Sequence, residues 1–276
     1  MSQSGAAAAS LPPLLLVGCG KMGGAMLEGW LERGAREVVV VEPHADAMAG
    51  FRGRVTACAD AASVPKDFRP GAIVLATKPQ QAEAALPAFA AMAGADALVL
   101  SIMAGKTAGG VAAMLGGAAR VVRAMPNTPA AVRQGFTCAF AGPGVTPNQR
   151  ELADALLTAI GEVAWVEDEA MIDPVTAVSG GGPAYVFLLA ELLEQAAIEQ
   201  GLPPDLARRM ARRTVSGSGA LLAASDLDAA QLRRNVTSPK GTTEQALRVL
   251  MAANAWPRTM SEAIAAATRR SRELGG

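Results

Sequence analysis

The residues best suited to chemistry lie late in the chain, in Asn235-Val236-Thr237-Ser238-Pro239-Lys240-Gly241-Thr242-Thr243-Glu244. There hydroxyls, a proline and a glycine stand directly before an apolar helical pattern. Such a stretch has the physics of a helix N-terminus. Thr242 or Thr243 supplies a cap, Gly241 admits close approach, and N–H groups without intrahelical partners point at an anion. A small carboxylate fits that cradle, so the segment reads as a substrate site.

A second chemical stretch opens the folded chain. Leu14-Leu15-Leu16-Val17 runs into Gly18-Cys19-Gly20-Lys21-Met22-Gly23, followed by Met26, Leu27, Trp30 and Leu31 at helical spacing. Strand, glycine turn and helix follow one another, and Glu42 closes the next β-branched run, Glu37 to Val41. A GxGxxG turn in that context lets backbone reach a pyrophosphate at the helix N-terminus, and the acid at the end of the second strand accepts a ribose 2′-OH. This predicts a dinucleotide site.

Totals narrow the classes. The chain has 276 residues, 51% of them hydrophobic, enough for one large or two ordinary domains with a sizeable core. Lys and Arg number 25, as do Asp and Glu, so no global field recruits nucleic acid. Cys19, Cys58 and Cys138 are scattered without paired spacing, which argues against disulfide or zinc frameworks and fits a reducing cytoplasm. His44 is the only histidine, which speaks against His-rich metal sites and Ser-His-Asp chemistry. Residues 1–11 read as a disordered leader, and the apolar run after it is too short for a membrane span. No metal, nucleic-acid or membrane partner is expected.

The elements that position these residues alternate. Strands are predicted at Val55 to Ala57, Ala72 to Ala76, Ala97 to Ile102, Arg120 to Ala124, Phe136 to Ala141 and Glu162 to Val166. Helices are predicted at Gln80 to Met92, Thr107 to Leu115 and Asn148 to Ile160. This is an α/β pattern, a Rossmann-type doubly wound parallel sheet whose ligands lie beyond the carboxyl ends of the strands. Lys78, Ala104 and Asn127 stand at such ends. After Trp165 only helices follow, so residues 12–167 form the dinucleotide-binding domain and 168–276 an all-helical one. Tyr185 to Gln200 is apolar almost all round and must be covered, either by a second subunit or by its own chain; the small size of the helical domain favours a dimer.

With Ala76-Thr77-Lys78-Pro79, Pro126-Asn127-Thr128-Pro129, Ser179 to Tyr185 and Val236 to Thr243 in this order, the chain resembles the pyrroline-5-carboxylate reductases. The resemblance covers nearly all of it. It implies an NADPH- or NADH-binding Rossmann domain, a helical domain that dimerises by interleaving, further assembly into a decamer, and reduction of 1-pyrroline-5-carboxylate to L-proline. On the family's pattern Gly18, Gly20, Lys21, Met22 and Gly23 serve the pyrophosphate. Ala76 and Lys78, with Pro79 and Ala104 beside them, line the nicotinamide ribose, and Asn235 reaches the cofactor. Ser238, Gly241, Thr242 and Thr243 hold the substrate, with the Thr243 hydroxyl at the ring nitrogen, and Asp226 falls where an acid is common.

Three departures stand out. Gly181 takes the place of a frequent serine, Lys240 that of a frequent glycine, and Glu42 that of small polar residues suited to the 2′-phosphate of NADPH. A carboxylate there repels that phosphate, so NADH is the expected cofactor, against which Arg52 and Arg54 lie nearby in sequence. Two other readings remain: a reductase of the β-hydroxyacid dehydrogenase type, and a dinucleotide-sensing protein without redox activity.

Overall fold

The computed structural model describes residues 11–94 and 96–275. Of the leader expected over residues 1–11, only Leu11 is among them; it is half-buried and packs against the core. By packing, the described chain divides into two units, one of residues 11–180 and 268–275 and one of residues 181–267.

The first unit is built on eight strands, β1 (Leu14–Val17), β2 (Val38–Val41), β3 (Thr56–Cys58), β4 (Ala72–Leu75), β5 (Leu98–Ser101), β6 (Arg120–Met125), β7 (Gly135–Ala141) and β8 (Gly161–Val166). Their order is β3-β2-β1-β4-β5-β6-β7-β8. The first six are parallel, and the order reverses between β1 and β4. The central strands are continuous apolar runs because both faces are covered. Leu14 and Leu16 face one core with Met26, Leu27 and Trp30 of helix α1 (Lys21–Glu32). Leu15 and Val17 face the other, with Leu86, Phe89 and Val111. The Trp30 indole, fully buried, donates to the Leu156 carbonyl at 2.9 Å, so its one polar atom is satisfied.

Two expectations change. The sheet is not wholly parallel: β7 runs antiparallel to β6 and parallel to β8. The stretch between β6 and β7, residues 126–134, is too short for the crossover that a parallel neighbour requires, and the chain turns back. The helix expected over Gln80 to Met92 is broken into tight turns around α2 (Ala82–Ala85), and Pro87 inside it lacks the N–H that a continuous helix needs.

Helices α3 (Ala108–Met114), α4 (Pro147–Leu157) and α5 (Ile172–Val175) complete this unit. Secondary structure changes near residue 168, where the second domain was expected to begin, yet packing keeps the chain with the sheet to Gly180. An ionic cluster explains this. Arg123 on β6, only 5% exposed in its side chain, contacts Glu169 at 3.1 Å and Asp173 at 3.9 Å. Glu169 also accepts from the Ala108 N–H, and Asp173 accepts from the Ser271 hydroxyl at 2.7 Å. Removing a partner of a buried cation is costly, so these contacts tie residues 169–173 and the last turns of the chain to the sheet.

The second unit is helical: α6 (Gly182–Glu199), α7 (Pro204–Ala223), α8 (Ala229–Asn235), α9 (Thr242–Leu250) and the first part of α10 (Trp256–Gly275). Its large side chains are poorly covered. Phe187 is 66% exposed, and Leu188, Leu192, Leu221, Leu222 and Val249 are exposed too. The run Glu169–Glu199 is long and apolar enough to cross a membrane by length and composition, and little of it is buried. So much exposed apolar surface marks an interaction face.

Candidate functional site

The glycine turn lies where the sheet order reverses, the position at which open α/β sheets bind ligands. Val17 leads into Gly18, whose φ of +92° is open to glycine; a Cβ there would sit 2.8 Å from the Ala76 carbonyl oxygen. Thus β1 and β4 are sealed at their carboxyl ends. Gly20 then caps α1 with no side-chain hydrogen bond, and a Cβ on it would meet nothing within 4 Å. The space beside Gly20, ahead of the first turn of α1 with Lys21, Met22 and Gly23, is therefore open. A pyrophosphate fits this cradle, since among the described residues no side chain caps the positive end of the helix.

Glu42 is held against the turn. Its Oε2 accepts from the Cys19 N–H at 2.8 Å, and its Oε1 accepts from the His44 N–H at 2.9 Å and contacts His44 Nδ1 at 2.8 Å. Burial raises the cost of its charge, but these hydrogen bonds together hold the carboxyl below the usual range. It is an anion at neutral pH. Three of about four acceptor positions are filled, which leaves one for a hydroxyl. Arg54, a rival for a 2′-phosphate, makes a two-pronged bond to Glu28 on α1 at 3.0 and 2.8 Å. The Cys19 thiol is pushed up to about 11 by burial and then by Glu42, so it stays protonated.

The other expected positions in this unit line the same edge of the sheet. Ala76 is half-buried and its N–H continues the ladder to Val17; Lys78 is exposed, Pro79 starts the following turn, and Ala104 is half-buried after β5. Thr77 Oγ1 meets the Met103 sulfur at 3.4 Å, joining the two strand-end loops. Sequence reasoning named Asn127 but not its partners. Its Oδ1 accepts from the Phe136 N–H at 2.9 Å, so its amide nitrogen donates to Ser179 Oγ at 3.2 Å. The Pro126-Asn127-Thr128-Pro129 turn was the only signal for that bond.

In the helical unit the hydroxyl turn is compact and exposed. Gly241 N–H bonds back to the Ser238 carbonyl at 3.0 Å, and Lys240 sits at φ +60°. That left-handed position explains why glycine suits it. Gly241, not Thr242 or Thr243, is the cap of α9, and no side chain fills it. Thr242 and Thr243 are the first two helical residues, exposed, with first-turn N–H groups of the kind that bind carboxylates. Glu244, unforeseen, reaches back to the Lys240 N–H at 2.9 Å and steadies the turn. Asn235 is held by Gln231 through a 2.7 Å contact, Ser238 is exposed, and Asp226 lies exposed in the loop between α7 and α8.

A cavity of about 540 Å³ near the far end of α1 is lined by Arg33 and Arg133. Arg33 is taken up by Thr158 and Ala155, and Arg133 by Glu32 and Ala25, so this is a docking seam rather than a site.

A nucleotide-binding turn at a sheet switch point, followed by a helical unit, defines a Rossmann-type oxidoreductase. Residues 14–105 match the family described as NADP oxidoreductase, coenzyme F420-dependent, and residues 169–274 the family described as pyrroline-5-carboxylate reductase dimerisation. The pyrroline-5-carboxylate reductase of Pseudomonas aeruginosa is 37% identical over 96% of this chain and 97% of its own. That of Synechocystis is 37% identical over 92% and 96%. Among solved structures, the Coxiella burnetii pyrroline-5-carboxylate reductase superimposes with a TM-score of 0.87 at 33% identity, covering 97% of this chain and 100% of its own. The Plasmodium falciparum pyrroline carboxylate reductase, solved with NADP bound, gives 0.82 at 26% identity, covering 96% and 98%. The chain belongs to the pyrroline-5-carboxylate reductase family. It is a nicotinamide-dependent enzyme acting on a small molecule, and it forms homo-oligomers through a dimerisation domain. The dehydrogenase and non-catalytic readings fall with that membership.

Proposed function

We propose that this chain, in reducing 1-pyrroline-5-carboxylate to L-proline, holds NADH on Gly18, Gly20, Lys21, Met22 and Gly23 and grips the substrate through Ser238, Gly241, Thr242 and Thr243. The observation that carries the cofactor half is Gly20: an uncapped helix start, open to approach, at the sheet's switch point. The reduced nicotinamide, when bound, supplies the hydride for the C=N carbon. What the chain contributes is position and charge.

Ala76, Lys78, Pro79 and Ala104 border the nicotinamide ribose, and Asn235 serves the cofactor on the family's pattern. Glu42 accepts the adenosine ribose 2′-OH and repels a 2′-phosphate, which supports NADH over NADPH. The start of α9 holds the substrate carboxylate, and the helix dipole with Lys240 favours its charge. The Thr243 hydroxyl orients the imine nitrogen and relays its proton through water. Asp226 stands by as an acid near the substrate. The exposed apolar helices support an interleaved dimer, with dimers assembling further into a decamer. Three buried, unpaired cysteines suit a cytoplasmic setting.

Mixing the protein with 1-pyrroline-5-carboxylate and either NADH or NADPH, and following absorbance of the reduced cofactor, tests the reading. Oxidation of NADH with the higher kcat/KM is expected. No oxidation of either cofactor would falsify the reaction, and preference for NADPH overturns the role given to Glu42.

A further inference from the structure

We infer that His44 sets which dinucleotide the glycine turn accepts: neutral, it leaves NADH favoured, and protonated, it admits the 2′-phosphate of NADP(H). This rests on the reading above that Glu42 faces the adenosine ribose.

The geometry assigns the proton. Glu42 is charged and accepts only, so the 2.8 Å contact places the hydrogen of the neutral ring on Nδ1. Nε2 then carries a lone pair. The imidazole is 80% exposed while the carboxylate beneath it is 9% exposed, so the ring is the outer face of this corner and Glu42 the inner one. With His44 neutral, an incoming phosphate meets an acceptor nitrogen over a full negative charge.

Protonation adds a hydrogen at Nε2 and cancels the formal charge of the pair. The outer face becomes a donor suited to a phosphate oxygen. A ribose 2′-OH, by contrast, donates to the remaining acceptor position on Glu42 in either state, so NAD(H) binding is indifferent to the change. Histidine is the side chain whose charge changes between about pH 5 and 8.

Other charged and titratable groups stand on the elements meeting here. Cys19 stays a thiol, and Lys21 begins α1. Asp46 and Arg52 follow His44 along the chain, and Asp60 beyond β3 is bonded to Ser63. Arg54 is committed to Glu28.

Calorimetric titration of the intact protein with NAD+ and NADP+, from pH 5.5 to 8.5, tests this in wild type, His44→Gln and Glu42→Gln. The 2′-phosphate itself ionises near pH 6, but that acts on wild type and His44→Gln alike. The expected result is a fall in the Kd ratio of NADP+ to NAD+ on acidification that is roughly 5- to 10-fold larger in wild type than in His44→Gln, the scale of one charge-assisted hydrogen bond. Coincident wild-type and His44→Gln curves overturn the inference. If Glu42→Gln still tightens NADP+ in that case, the NADH reading survives it; if Glu42→Gln changes neither Kd, both readings go.

Discussion

Two of the helix starts that lack a side-chain cap, at Gly20 and Gly241, are built in opposite ways. At Gly20 the start of α1 is welded to the sheet: Gly18 presses on Ala76, and Glu42 holds Cys19 from the next strand. At Gly241 the start of α9 is a turn that holds itself together, by the Ser238 carbonyl and the Glu244 side chain, with its hydroxyls exposed. The first is rigid because strands on both sides determine its backbone. The second is exposed and can exclude water only when another surface covers it, which suits the substrate role proposed for it.

The largest effect is expected at Gly18→Ala. Left-handed strain costs about 1–2 kcal/mol, and a methyl forced against the Ala76 carbonyl costs about 1–3 more. Denaturant unfolding should show a loss on the order of 3 kcal/mol, with nucleotide binding abolished. Gly20→Ala sharpens the point: with open space and φ of −69° it should leave stability within about 1 kcal/mol yet weaken NADH, because the methyl stands where the pyrophosphate approaches.

In the other turn, Thr243→Ala should lower kcat by about 10- to 100-fold, the worth of one hydrogen bond that strengthens in the transition state. The Kd for NADH should not move. Equal losses of turnover and cofactor binding would remove the distinction between the two turns.

Acid should separate them further. The folded carboxyl of Glu42 lies below its unfolded value, so its contribution to stability is complete above about pH 4.3 and is lost as pH falls through the folded pKa. In Glu42→Gln that component of the acid transition should vanish, as seen in unfolding midpoints between pH 6 and 3. The smallest effect is Lys240→Gly. Relief of the left-handed strain should raise stability by about 1 kcal/mol, while loss of the cation raises KM for the substrate a few-fold.

Much of this was readable along the chain. The central strands β1, β2, β4 and β5 are short, almost wholly apolar runs buried along their length, and the glycine turn at Gly18 to Gly23 is marked by its spacing after β1. The Arg123–Glu169–Asp173–Ser271 cluster was not readable, because its members lie up to 148 positions apart and each is an ordinary charged or polar residue. Nor was the cap of α9: hydroxyls predict a capping side chain, whereas the turn through Lys240 places Gly241 at the cap and turns both threonines outward.

By itself, then, the order of residues determined where the central strands and the turns at Gly18 and Gly241 fall, since those depend on local sterics and on periodic burial. Tertiary structure alone decided the reversal of β7, the reach of the sheet unit to Gly180, and the bonding of Glu42 to both Cys19 and His44. Each of those depends on which distant backbone or side chain arrives alongside, and no short-range preference encodes that.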